Sequence, residues 1–307
     1  LPKDVASTLV VYTPAIPTDL KELVYVKEHG YTLVKRSRML GELAEGQTCL
    51  AVAGTHGKTT TSTLVAHILT ESGKGCSAFL GGISKNYGTN LLTSHTPTIV
   101  AEADEFDRSF LQLHPAIAAI TAMDADHLDI YGTLEEYQKA FKAFASQVSR
   151  TLIVKLGLDI TPEDTNARIL HYSYDNPDAD YYAANAKPDE VGHYIFDLVY
   201  PEGVISGIRV GIPGWVNVEN SVAAAAVCLN HGVPPEAIKE AIGTYSGVKR
   251  RLDVHLNTPH LSYIDDYAHH PKELASAISS MRGIFPGRKL TAIFQPHLFT
   301  RTRDFAD

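Results

Sequence analysis

The sequence predicts an α/β fold built on a parallel sheet, and three observations carry that expectation. Short β-branched apolar runs alternate with segments of helical spacing from residue 8 to residue 154. A glycine-rich loop, Gly54-Thr55-His56-Gly57-Lys58-Thr59-Thr60-Thr61, lies between one such run and one such helix. Two later runs each end in a cluster of acids. Strand–helix alternation implies parallel strands with helices on their faces.

Taken in order, Thr8–Tyr12 reads as a strand, Leu20–His29 as a helix stopped by Gly30, and Tyr31–Val34 as the next strand. A helix near Arg38–Leu43 leads to the strand Thr48–Ala53, and the helix Thr59–Ser72 follows the loop. Strands are expected around 78–80, 98–101, 116–120 and 152–154, with a helix over Leu134–Val148. Between Ala167 and Val210 the texture shifts to short alternating segments rich in Tyr and Asp, which predicts a small mixed or antiparallel sheet. An Ala-rich helix, Asn217–Leu229, comes next. A boundary is expected near Asp253, followed by strands at 261–264 and 290–294 joined by the helix Pro271–Ile284.

Bulk composition narrows the function. The chain has 307 residues, 44% hydrophobic and 20% charged, with a net charge of −8. That length suggests more than one domain. The negative balance argues against a nucleic-acid partner, which would need clustered Lys and Arg. No apolar run is long enough to span a bilayer, so no membrane partner is expected. Three scattered cysteines without a CxxC pair point to a reducing cytoplasm. The chain begins at Leu1 without Met and ends at Asp307 within a charged stretch, so it is expected to be part of a longer protein.

The loop is the strongest local signal. Its glycines let main-chain N–H groups turn inward around phosphate oxygens, and the following helix adds positive charge at its N-terminus. Lys58 is placed to bridge the terminal phosphates, and the Thr59 hydroxyl to hold Mg²⁺. Val52 stands where the longer GxxxxGK[ST] pattern has glycine, so this is a shorter form. A plain strand-to-helix turn is the competing reading, and it leaves Lys-Thr in register unexplained.

Strand ends supply the acids. Residues 100–101 run into Glu102-Ala103-Asp104-Glu105-Phe106-Asp107, and 120–121 into Ala122-Met123-Asp124-Ala125-Asp126-His127-Leu128-Asp129. Ligands of open parallel sheets sit beyond the carboxyl ends of the strands, so both clusters should share an edge with the loop. Carboxylate oxygens suit Mg²⁺, and His127 could complete a second metal shell. Taken one at a time, the aspartates are equally consistent with solvated loop residues or helix caps.

Six motifs in chain order then resemble the Mur ligases, ATP-dependent amide ligases of bacterial peptidoglycan synthesis. They are GTHGKTTT (54–61), EADEFDRSFL (102–111), ITAMDADHLDIYG (120–132), GVKRRLD (247–253), DDYAHHP (265–271) and FQPHLFTRTRD (294–304). The resemblance implies a central P-loop-type parallel-sheet ATPase domain, residues 47–253. It would be flanked by the tail of an N-terminal UDP-binding Rossmann-like domain (1–46) and the start of a C-terminal amino-acid-binding one (254–307). On this reading both flanking domains are partial, so the chain should not complete the reaction unaided.

The resemblance also implies roles. Gly54, Thr55, His56, Gly57, Lys58, Thr59 and Thr60 would cradle ATP, with Lys58 on its β/γ-phosphates. Thr59 and Glu102 would share one Mg²⁺, and His127 would join a second. The adenine-reading HNxxN motif stands here as Val216-Asn217-Val218-Glu219-Asn220, its histidine replaced by Val216. Asn217 and Asn220 are carried over, although an asparagine there also suits helix capping. Arg250 and Arg251 match a linker arginine that contacts nucleotide, with the choice between them left open, and Asp265 would hold the ribose.

Lys85, Asn86, Thr89 and Asn90 would approach the UDP-sugar. Tyr267, His269 and His270 fall where the incoming amino acid is positioned, His297 and Arg301 match amino-acid or phosphate contacts, and His269 or His270 could be the base for the amine. Leu298 replaces an arginine of the family's pattern, which puts one carboxylate contact in question. The implied substrates are UDP-N-acetylmuramate and L-alanine, consumed with ATP and Mg²⁺. The rivals are a sister ligase adding a tripeptide to the same sugar acid and a P-loop NTPase switch.

Overall fold

In the computed structural model the described residues are 2–14, 16–126, 128–189 and 192–296. Expected positions His127, His297 and Arg301 lie outside them.

A ten-stranded sheet organises the chain. It contains β3 (Thr48–Ala53), β4 (Ser77–Phe79), β5 (Leu91–Leu92), β6 (Thr98–Ala103), β7 (Ile117–Ile120), β8 (Thr151–Lys155), β9 (Arg168–Ser173), β10 (Tyr181–Pro188), β11 (Tyr194–Tyr200) and β12 (Gly203–Arg209). Their order across the sheet is β12-β11-β10-β9-β8-β7-β3-β6-β4-β5. β3 is central and pairs in parallel with β6 and β7, with Ala53 opposite both Ala103 and Ile120. The glycine-rich loop and both acidic segments therefore leave the sheet at one edge. β3, β6, β7 and β8 are apolar along nearly their whole length because both faces are covered.

One face is covered by α3 (Lys58–Glu71), α6 (Trp215–Asn230) and α7 (Pro235–Thr244), whose side chains join Leu50, Val52 and Val100 in one core. α3 is buried from Thr59 through Leu69, between the sheet and the other two helices. The alanine run 223–226 of α6 lets the two helices approach closely. The opposite face is covered by α2 (Arg36–Ala44) and α5 (Leu134–Ser146). α5 begins at Thr133, whose hydroxyl accepts from the Glu136 N–H, and buries Tyr137, Ala140, Phe141, Phe144 and Ala145 at helical spacing. A single turn, α4 (Leu128–Tyr131), precedes it.

The Tyr- and Asp-rich stretch forms no separate small sheet. β9 and β10 continue the parallel order, and β11 and β12 then add as antiparallel neighbours. Two small parallel and antiparallel pairs lie outside the main sheet. β1 (Leu9–Tyr12) and β2 (Thr32–Lys35) are joined through α1 (Lys21–Glu28), and β13 (Asp253–Asn257) pairs with β14 (Ser262–Asp265). α8 (Pro271–Ile284) follows. The expected strand at 290–294 is absent: these residues pair with no neighbour, and apolar composition without a partner makes no ladder. Among the described residues no helix is long and apolar enough to cross a membrane. Cys49, Cys76 and Cys228 are buried free thiols.

Candidate active site

The loop between β3 and α3 is shaped by two glycines. Gly54 has φ +134° and Gly57 φ +82°, and a Cβ on Gly54 would lie 2.7 Å from the Ala122 nitrogen. Thr121, at the end of β7, ties the turn down by donating from its hydroxyl to the His56 and Ala53 carbonyls. Thr55 bonds the Asp124 carbonyl and the Tyr137 hydroxyl, each at 2.9 Å. The acidic strand end is thus fastened directly to the loop.

Three expected residues converge at the start of α3. The Lys58 ammonium donates to the Gly54 carbonyl at 2.7 Å and to Glu105 at 2.9 Å. Burial disfavours its charge, but the carboxylates of Glu105, Glu102 and Asp104 outweigh that cost and shift Lys58 upward. The Thr59 hydroxyl donates to Glu102 Oε1 at 3.0 Å, while Glu102 Oε2 accepts the Gly81 N–H at 2.9 Å. A side chain at position 81 would collide with that carboxylate.

Thr59 and Glu102 thus present hard oxygens side by side next to a lysine. Mg²⁺ is commonly held by one or two carboxylates together with waters and substrate phosphates. A hydroxyl and a single carboxylate fit a cation whose remaining ligands are waters and phosphate oxygens.

A cavity of about 420 Å³ opens beside the loop. His56, Gly57 and Thr60 form one wall, Asn217 and Asn220 another, and Arg251 and Asp266 a third. Both asparagines are buried: Asn217 donates to the Pro213 carbonyl at 2.6 Å, and Asn220 accepts from Thr61 at 3.4 Å. The arginine pair separates. Arg251 donates to the Thr59 hydroxyl at 3.1 Å, whereas Arg250, at φ +62°, is 63% exposed and lies 3.7 Å from Asp265; both guanidiniums lie over the Tyr267 ring.

Other expected residues are committed elsewhere. Asp265 lies 3.7 Å from Arg250 and does not line the cavity, which its neighbour Asp266 does. Lys85 is paired with Asp253 at 2.6 Å, and Asn86 bonds the Thr244 carbonyl and the Ser246 N–H. Thr89 caps its own turn through the Leu91 N–H, and Asn90 gives its carbonyl to the Leu80 N–H. The segment 84–90 is therefore stitched to the linker at 244–253.

His270 is the N-cap of α8: its Nδ1 accepts from the Lys272 N–H, and Glu273 closes the capping box. Burial and the neighbouring His56 lower its basicity. His269 donates through its Nδ1 to the Tyr267 carbonyl at 2.8 Å, and its ring meets Tyr267 edge-on.

Sequence reading singled out none of Glu105, Thr121 and Glu273, and left Asp124 open between a cluster acid and a solvated or capping residue. His56 lies 3.3 Å from Glu273 and 3.4 Å from Asp124, and Lys272 also pairs with Asp124. Burial alone would raise the Glu273 carboxyl, yet His56 and the His269 N–H hold it down to about 2. Its ionised form therefore stabilises the fold above its usual value of 4.5, and that contribution is lost as pH falls toward 2. Glu273→Gln should lower unfolding free energy at pH 7 by at most about 3 kcal/mol and flatten its fall between those values. Urea unfolding across that range checks it, and parallel wild-type and variant curves would refute it.

The comparisons with known proteins agree with this geometry. Residues 52–228 match the Mur ligase middle domain, and residues 250–307 the Mur ligase glutamate ligase domain. The chain is 50% identical over 303 residues to the UDP-N-acetylmuramate–L-alanine ligase of Parabacteroides distasonis, covering 97% of this chain and 65% of that protein. It is 49% identical to the enzyme of the same name from Phocaeicola vulgatus, covering 99% and 66%. The chain thus spans 65–66% of the length of these curated relatives.

A solved UDP-N-acetylmuramate–alanine ligase from Thermotoga maritima superposes with a TM-score of 0.82 at 27% identity, over 94% of this chain and 67% of that one. A murein peptide ligase from Psychrobacter arcticus, at 22% identity and TM-score 0.72 over 94% and 66%, shares the fold. With a glycine-rich strand-to-helix loop, an adjoining hydroxyl–carboxylate pair and a matching middle domain over more than half its length, this chain belongs to the Mur ligase family.

Proposed function

We propose that this chain carries the nucleotide-handling part of an ATP-dependent ligase that joins L-alanine to the carboxylate of UDP-N-acetylmuramate in peptidoglycan precursor synthesis. The observation that carries the reading is the Thr59–Glu102 hydroxyl–carboxylate pair beside Lys58 at the start of α3, next to the loop residues His56, Gly57 and Thr60 that line the cavity with Asn217 and Asn220. The names of the relatives, at 49–50% identity, support the choice of substrates.

In this reading residues 47–253 form the ATP-binding unit, with 1–46 and 254–307 belonging to flanking UDP- and amino-acid-binding units. Main-chain N–H groups of 54–59 other than that of Thr55, which bonds the Ala122 carbonyl, hold the phosphates of ATP, Lys58 reaches the terminal ones, and Asn217 and Asn220 read the base. Arg251 is the linker arginine that meets the nucleotide, and Asp265 or its neighbour Asp266 meets the ribose. Thr59 and Glu102 would hold Mg²⁺, which when bound supplies charge neutralisation at the transferring group, with His127 at a second ion. Lys85, Asn86, Thr89 and Asn90 serve the UDP-sugar, and Tyr267, His269, His297 and Arg301 the amino acid.

The substrate carboxylate attacks the γ-phosphorus of ATP, releasing ADP and leaving an acyl phosphate. The alanine amine then attacks the acyl carbon, phosphate departs, and a base accepts the amine proton. With His270 committed to capping, His269 is the better base.

Glu102→Gln should weaken magnesium-dependent binding of a nonhydrolysable ATP analogue at least about tenfold while leaving magnesium-free binding unchanged, by loss of one anionic ligand. Titration calorimetry with and without Mg²⁺ checks this, and equal magnesium-dependent affinities for wild type and variant would remove the cation site. In the ligase with both flanking units complete, phosphate release driven by UDP-N-acetylmuramate should require L-alanine. Release driven by a tripeptide instead would move the chain to the sister branch, and release needing neither substrate would favour a nucleotide switch.

A further inference from the structure

Glu105 has no part in the scheme above, yet it is the most deeply buried carboxylate at the site. It is 1% exposed, and its Oε1 accepts a hydrogen bond from the Lys58 ammonium at 2.9 Å while Oε2 lies 2.8 Å from the same nitrogen as an ion-pair contact. A lysine ammonium has three N–H donors. Gly54 takes one through its carbonyl and Glu105 takes another, which leaves one for a phosphate oxygen.

The backbone around Glu105 is built to keep it there. Asp107 and Arg108 follow at φ +53° and +54°, two consecutive non-glycine residues in the left-handed region. Such backbone strain persists only where neighbours over-determine it. Here those neighbours are identifiable. The Glu105 carbonyl accepts from the Tyr131 hydroxyl at 2.6 Å and from the Arg108 N–H at 3.0 Å. The Asp104 carbonyl accepts from the Phe110 N–H at 2.9 Å, and the Arg108 guanidinium lies over the Tyr131 ring. Asp107 is tied to Lys35 at 3.0 Å.

A carboxylate this buried cannot follow Lys58 if the lysine swings outward, and leaving it unpaired in the interior is strongly unfavourable. The lysine must therefore meet its phosphate while still bonded to Glu105. We propose that Glu105 is a positioning residue for Lys58, fixing the ammonium between the Gly54 carbonyl and the carboxylate so that its third N–H faces the terminal phosphates of the nucleotide. This rests on the nucleotide reading above and deepens it by naming the group that aims the lysine.

The test compares wild type, Glu105→Gln and Glu105→Asp in calorimetric titrations, carried to millimolar ligand, of a nonhydrolysable ATP analogue and of AMP, both with Mg²⁺. Thermal unfolding is recorded for each protein. Glu105→Gln should bind the ATP analogue about tenfold more weakly, the scale of one charge-assisted hydrogen bond. AMP, which has no terminal phosphate for Lys58 to meet, should bind within about twofold of wild type. Glu105→Asp, with the charge kept but withdrawn by one methylene, should show the same selective loss to a smaller degree and serves alone if the Gln variant does not fold.

Unchanged or tighter binding of the ATP analogue would overturn the proposal, as would an equal loss for AMP, which would mark a purely structural role. Absence of binding by the wild type would refute the nucleotide reading itself, a distinct result.

Discussion

Replacing Lys58 with Met is expected to abolish magnesium-dependent nucleotide binding and also to destabilise the fold by about 3–5 kcal/mol. The second effect is the unusual one, since a surface lysine in a binding loop costs almost nothing to remove. Here the ammonium is 13% exposed and its partner Glu105 only 1%. Removing the lysine strands a carboxylate that water cannot reach. The double variant Lys58→Met with Glu105→Gln should therefore recover most of the lost stability and none of the binding. Urea unfolding of the single and double variants, paired with calorimetric titration of the ATP analogue, separates the two effects. A single variant as stable as wild type would mean that Glu105 finds another partner or takes up a proton at little cost.

Gly54→Ala is expected to destabilise the fold on a similar scale, by about 2–5 kcal/mol, through geometry alone. Its φ of +134° is a conformation that side chains rarely adopt, and the added Cβ would meet main-chain nitrogen of the neighbouring strand end, 2.7 Å from Ala122 and 2.9 Å from Thr121. Neither atom can move without breaking the register of β7 against β3, in which Ala53 faces Ile120. Gly46 supplies the control. It also has positive φ, at +73°, but a Cβ there meets nothing within 4 Å, so Gly46→Ala should cost only about 1–2 kcal/mol. Chemical unfolding of both variants decides: equal losses would show that conformation alone, without the close approach to β7, sets the cost at Gly54.

Both predictions draw on the same feature, a loop held from outside by residues distant in sequence. Thr121 bonds it from β7, Glu105 from the turn after β6, and Arg251 from the linker beyond α7. The tip of α8 meets the same loop through Glu273 and His56. Nucleotide contacts at residues 54–59 would therefore be felt at once by the strand ends and by the segment after the linker.

The local grammar of the chain was readable without coordinates. Glycines at 54 and 57, Lys58 and Thr59 fall into a strand–loop–helix context by spacing alone, and the parallel edge brings Glu102 to Thr59 because both strands end at the same height. Each apolar run that became a central strand was recognisable because burial on both faces leaves no polar alternation to confuse it. What tertiary structure decided was partnership. Residues 168–209 extend the main sheet, and 290–294 form no strand, because hydrogen bonding to a neighbour lies outside any run's own composition. Between Arg250 and Arg251 the linker's turn chose which one faces Thr59. Glu105 looked like one acid among several, and only the folded chain seals it from water against Lys58, where a carboxylate's charge must be matched by a neighbour's.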